Sequence, residues 1–101
     1  MIGQPDESKL DVVRDYLRRS FPEHDQLDHL SLRRRGVLFQ ILRRGRLVHR
    51  LVVLESFLAD HPAAEIAKSL EAHHVATVLG QAAWRIVVLS ADGPRIQEEL
   101  T

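Results

Sequence analysis

Residues 27–54, LDHLSLRRRGVLFQILRRGRLVHRLVVL, decide the fold. Apolar residues in this stretch alternate with polar ones or close into runs of Val, Ile and Leu, a period near two that suits strands rather than helices. Arg35-Gly36 and Arg44-Gly45 interrupt the pattern. Glycine takes a positive φ without steric cost, so both pairs are expected to turn the chain sharply. Three short strands result, about 27–34, 37–43 and 47–54, and loops this short force antiparallel pairing. A two-residue first loop sets Leu32 opposite Phe39, Leu30 opposite Ile41 and Asp28 opposite Arg43, one apolar face ending in a charge pair. The second hairpin has two registers open to it. A two-residue loop at Arg44-Gly45 puts Arg50 on that face, and a one-residue bulge puts His49 there.

On the N-terminal side, Leu10, Val13, Leu17 and Phe21 recur at spacings of three and four, which predicts an amphipathic helix over about 6–20. Asp6 and Glu7 suit its first turn, Arg18 and Arg19 its last, and Pro22 stops it. On the C-terminal side, Asp60 offers an N-cap and Pro62 a first turn for a second helix lined by Ala63, Ile66, Ala67, Leu70 and Val78. Gly80 is expected as the left-handed residue after its end. Residues 83–89 read as a fourth strand, with Trp84, Ile86 and Val88 alternating against Val87 and Leu89. A turn at Asp92-Gly93-Pro94 precedes at most one or two helical turns over 95–100.

The order α-β-β-β-α-β predicts one α+β domain over residues 1–101, frayed at about 1–5 and 95–101. Its three-stranded antiparallel meander is extended by a fourth strand parallel to its neighbour, because the intervening helix makes a right-handed crossover. That strand lies beside the first or the third, and two helices pack on one face. A chain of 101 residues holds a single core. With 45% apolar and 28% charged residues the composition is that of a folded domain rather than a disordered one. The absence of Cys excludes disulfides, a thiol nucleophile and Cys-based zinc sites. No apolar run nears the roughly 18 residues that span a bilayer, so no membrane partner is expected. The start, Met-Ile-Gly-Gln-Pro, lacks a basic segment followed by an apolar one, and a cytoplasmic location is the expectation.

Fourteen basic and fourteen acidic residues cancel overall but are segregated. Residues 31–50 hold seven Arg and no acid, whereas the flanking segments carry nets of −3 and −4. An electrostatic partner would therefore be felt by the central segment. The meander places its two Arg-rich turns at opposite ends of the sheet, so the charge is divided between two poles. Arg33, Arg43, Arg46 and Arg50 are the candidate electrostatic or nucleic-acid-binding residues, since the guanidinium fork suits phosphate. Phe39 is the single Phe, Tyr or Trp within 31–50 and reads as core, so the segment itself offers no base-stacking ring.

With both helices on one face, the opposite face keeps Leu38, Leu42 and, by register, Leu47 and Leu51 or Val48 and Val52. Monomeric proteins rarely expose contiguous apolar patches beyond a few hundred Å². Leu38, Leu42, Leu47, Leu51 and Trp84 are therefore the candidate partner-binding residues, for a second copy of the chain or another protein. The competing arrangement folds residues 55–61, with Phe57 and Leu58, or the C-terminal segment over that face. The order α-β-β-β-α over 6–79 resembles that of double-stranded-RNA-binding domains, although the second helix opens as Asp60-His61-Pro62-Ala63-Ala64-Glu65, without a Lys cluster. The longer order α-β-β-β-α-β resembles secretion-chaperone folds, a resemblance that implies dimerisation and the wrapping of extended peptides. Both are resemblances of topology.

Catalytic signals are thin. Glu23-His24-Asp25-Gln26-Leu27-Asp28-His29 gathers metal-ligating side chains, but in a connector running into a strand, where they need not converge. His73 and His74 are adjacent and diverge by about 100° on a helix. No nucleophile elbow, phosphate-binding glycine loop, metalloprotease helix or dinucleotide fingerprint is present. No catalytic residue, cofactor or metal ligand is assigned, and a non-enzymatic binding domain is the expectation.

Overall fold

In the computed structural model, which describes residues 6–97, α1 (Glu7–Ser20) starts where the Asp6 side chain accepts hydrogen bonds from the Ser8 amide at 2.9 Å and the Ser8 hydroxyl at 2.6 Å. These two bonds satisfy an N-terminal donor and hold the Asp6 carboxyl below its ordinary range. Arg18 and Arg19 occupy the last turn, opposite the negative end of the helix dipole. Leu10, Val13, Tyr16 and Leu17 form its buried stripe.

Five strands follow in the spatial order β1-β2-β3-β4-β5. They are β1 (Asp25–Ser31), β2 (Gly36–Arg43), β3 (Arg46–Leu54), β4 (Ile86–Ser90) and β5 (Gly93–Gln97). The β3–β4 pair is parallel and every other pair antiparallel. The fourth strand thus lies beside the third. Three short helices make the crossover, α2 (Glu55–Asp60), α3 (Ala63–Ala72) and α4 (Val75–Ala82). All four helices contribute to a single core with Phe39, Leu51, Val53, Val87 and Leu89 of the sheet, which sets the helices on one face.

The first hairpin departs from expectation. Its loop covers Leu32 to Arg35, and the register is Leu30↔Val37, Asp28↔Phe39 and Gln26↔Ile41. Arg35 takes the positive φ of 56° and Gly36 does not, which lengthens the loop and shifts the pairing. Gly36 is needed for space instead, since a Cβ there would run into the Val53 carbonyl oxygen of the paired strand. The shift sends Asp28 to α1, where it pairs with Arg14, rather than to Arg43. The second hairpin is a two-residue turn with Arg44 at φ 53° and Gly45 at φ 78°, the positive pair that matches the twist of its strands. A bulge then pairs Leu42 with Leu47 but Ile41 with His49, leaving Val48 as the extra residue. Val48 packs against the helix-side core and the His49 ring lies 4.9 Å from Phe21, so His49 rather than Arg50 is on the covered face.

Three further expectations change. The second helix breaks at His74, which takes the left-handed conformation at φ 52°, and Gly80 lies inside α4. The break lets Val75, Leu79 and Ala82 continue the buried surface of Ile66 and Leu70. Residues 55–60 are helical, and Phe57 and Leu58 join the same core, so this segment does not cover the opposite face. Finally, 93–97 form an edge strand whose Ile96 packs on the core, in place of helical turns. Of the residues expected to fray, 1–5 and 98–101 lie outside the described residues, while 95–97 belong to β5.

Candidate interaction surface

Strand alternation fixes what the uncovered face of the sheet presents. One row runs His29, Leu38, Val52, Val88 and Arg95 across all five strands. The next runs Gln40, Arg50, Ile86 and Gln97, and beyond it Leu42 faces Leu47 at the Arg44-Gly45 end. Leu54 extends the aliphatic surface at the opposite end of β3. No helix packs here among the described residues: Leu38, Leu42, Leu54 and Val88 are half-buried, and Leu47 is 42% exposed. A shallow depression of about 280 Å³ opens between Arg34, Val52, Leu54, Val88 and Gln97. The result is an aliphatic strip crossed by the Gln40–Arg50 pair and bounded by polar side chains.

Leu38, Leu42 and Leu47 are therefore brought together as expected, but Leu51 is not among them. Leu51 pairs with Phe39 and Val87 and is fully buried on the helix side, because the bulge at Val48 reverses the facing of everything after it. Val52 takes its place in the row on that face, between Leu38 and Val88, but is itself fully buried. Leu54 and Val88 complete the strip, and the alternation Val52–Leu54 was the signal that could have found Leu54. Trp84 is also displaced. It precedes β4 in a turn, 64% exposed, where Arg50 donates to its carbonyl oxygen from Nε at 3.2 Å and from NH2 at 2.9 Å.

The cations do fall into two groups. Arg33 lies in the β1–β2 loop at one end of the sheet. Arg43 and Arg46 stand opposite each other at the other end, both exposed. His24 and His29 do not converge. The His24 Nδ1 lies 2.9 Å from the Pro22 carbonyl oxygen, His29 faces away from the helices, and Asp28 beside it faces α1. Among the described residues no group of three or more His, Asp and Glu is placed to hold a metal ion. None of their helices is long and apolar enough to cross a membrane. No protein-family model matches the chain, nor does any curated protein or solved structure.

Proposed function

We propose that this protein is a non-enzymatic binding domain of the cytoplasm that self-associates through the uncovered face of its sheet. The observation that carries the reading is the aliphatic strip of Leu38, Leu42, Leu47, Leu54 and Val88, set around the buried Val52 on the face opposite all four helices. Aliphatic side chains neither transfer protons nor attack substrates. What they supply is area that leaves water on association, at about 25 cal/mol per Å² before the costs of ordering. A second copy suits the strip because the same surface can serve both partners about a two-fold axis, with the Gln40–Arg50 row giving polar register within an apolar contact.

The test is molar mass by light scattering over a dilution series. The wild-type protein is expected to pass from dimer to monomer as it is diluted, and Leu38→Asp to remain monomeric throughout with an unchanged circular dichroism spectrum. A wild-type mass that stays monomeric at high concentration overturns the proposal.

A further inference from the structure

We propose that the end of the sheet bearing Arg43, Arg44, Arg46 and Trp84 binds single-stranded nucleic acid, with a base stacked on Trp84 and phosphates on the three arginines. This surface is distinct from the aliphatic strip and does not depend on self-association.

The first observation is the turn that presents Trp84. The Arg85 amide donates to the Ala82 carbonyl at 3.1 Å, closing a four-residue turn. Ala83 takes φ 55° and ψ −119° in it, the first central position of a type II′ turn, where glycine is strongly preferred. An L-residue persists there only where its surroundings over-determine it. They do so here through β3. The His49 Nδ1 lies 3.3 Å from the Ala83 carbonyl oxygen, and the Arg50 guanidinium holds the Trp84 carbonyl oxygen. Two consecutive β3 residues thus pin two consecutive turn residues, yet the indole packs into no core. Strain and two contacts are spent on holding a large aromatic ring in solvent.

The second observation is the charge at the same end. Arg43 and Arg46 are cross-strand neighbours and Arg44 sits in the turn between them. Like charges facing across a ladder destabilise it, and none of the three has a carboxylate partner among the described residues, whereas Arg14 and Arg18 are both ion-paired. Because β3 and β4 run parallel with Arg50 beside Ile86, the residues before β4 return alongside the start of β3. Arg46 and the residue that holds Trp84 are separated by roughly 12 Å of strand. That is a span for a run of nucleotides along one strand. Rings that stack bases and cations that follow the backbone are the two components of sequence-tolerant single-strand binding, and a base has a free face only where it is unpaired.

The protein contains one Trp, so tryptophan emission excited at a wavelength that Tyr16 does not absorb reports on Trp84 alone. Titration with oligo-dT and oligo-U is expected to quench it saturably, with affinity falling at least tenfold between about 50 and 200 mM salt. Arg43→Glu with Arg46→Glu is expected to weaken binding tenfold or more, whereas Arg33→Glu, at the opposite end, leaves it unchanged. With fluorescently labelled oligo-dT read by anisotropy, Trp84→Leu weakens binding and Trp84→Phe largely restores it. An emission spectrum indifferent to both oligonucleotides overturns the proposal. So does an equal loss in Arg33→Glu, or quenching as strong by poly-glutamate or by a DNA duplex, which would assign this end to acidic peptides or to duplex backbone.

Discussion

The Arg14 guanidinium closes a bidentate pair on Asp28, Nε to Oδ2 at 2.8 Å and NH2 to Oδ1 at 2.9 Å, and so ties the first helix to the outermost strand. Its NH1 also reaches Asp11 at 2.8 Å and Glu7 at 3.2 Å. Asp28 is the less exposed partner, and the hydrogen bonds from Arg14 hold its carboxyl below the ordinary range against the opposing effect of burial. A carboxyl whose pKa is lower in the folded state stabilises the fold above its unfolded pKa, and that stability is lost as pH falls through the folded value. Asp28→Ala is therefore expected to cost about 2 kcal/mol at neutral pH. Urea unfolding should show this difference from wild type shrinking once the pH falls below the normal range of an aspartic acid.

Gly80 and Ala83 occupy each other's preferred conformations. Gly80 is helical, with nothing within 4 Å of a Cβ added to it, while Ala83 sits at a positive φ that glycine prefers. Gly80→Ala is expected to add roughly 0.5–1 kcal/mol through reduced freedom of the unfolded chain. Ala83→Gly is expected to add about 1 kcal/mol by relieving strain. Both should raise the urea midpoint, and the two gains should add.

Gly36 behaves in the opposite way. A Cβ there would meet the Val53 carbonyl oxygen and the Leu54 Cα of the paired strand, backbone that cannot rotate aside. Gly36→Ala is expected to lower stability by about 2 kcal/mol, typical of forcing atoms into a filled space. A melting temperature equal to that of wild type would count against the close approach of β2 and β3.

These positions also mark what could be read from the residues alone. The period-two run over 27–54, the Leu10–Val13–Leu17 stripe and the apolar strand at Val87 and Leu89 are strong local patterns, and each forms its element. Registers are weaker, because they turn on which single residue takes the positive φ. Gly36 is the conformationally free choice, yet Arg35 takes that role, and the partner of Asp28 moves from Arg43 to Phe39 along β2. The Val48 bulge decides the facing of Leu51 and Arg50, and nothing local distinguishes Val48 as the extra residue. His74 breaks the second helical segment without any Gly or Pro to announce it. For the candidate surfaces, Leu38, Leu42 and Leu47 were legible as a surplus of aliphatics. The link between Arg50 and Trp84 joins residues 34 apart in the chain and exists only in three dimensions.

Two leucines on opposite faces of the same sheet should respond differently. Leu51→Ala removes a fully buried side chain of the helix-side core and is expected to cost 2–5 kcal/mol, marked in thermal unfolding at any concentration. Leu38→Asp changes a half-buried side chain on the uncovered face. Its effect on unfolding of the dilute protein is expected to be the smaller of the two, with its main consequence on association.

The most direct measurement of that association is an amide-resolved NMR spectrum followed across dilution. Self-association through the uncovered sheet face predicts concentration-dependent shifts at Leu38, Leu42, Leu47, Leu54 and Val88, with α1 and α3 unmoved. Shifts confined to the outer surfaces of the helices, or a spectrum independent of concentration, would contradict it.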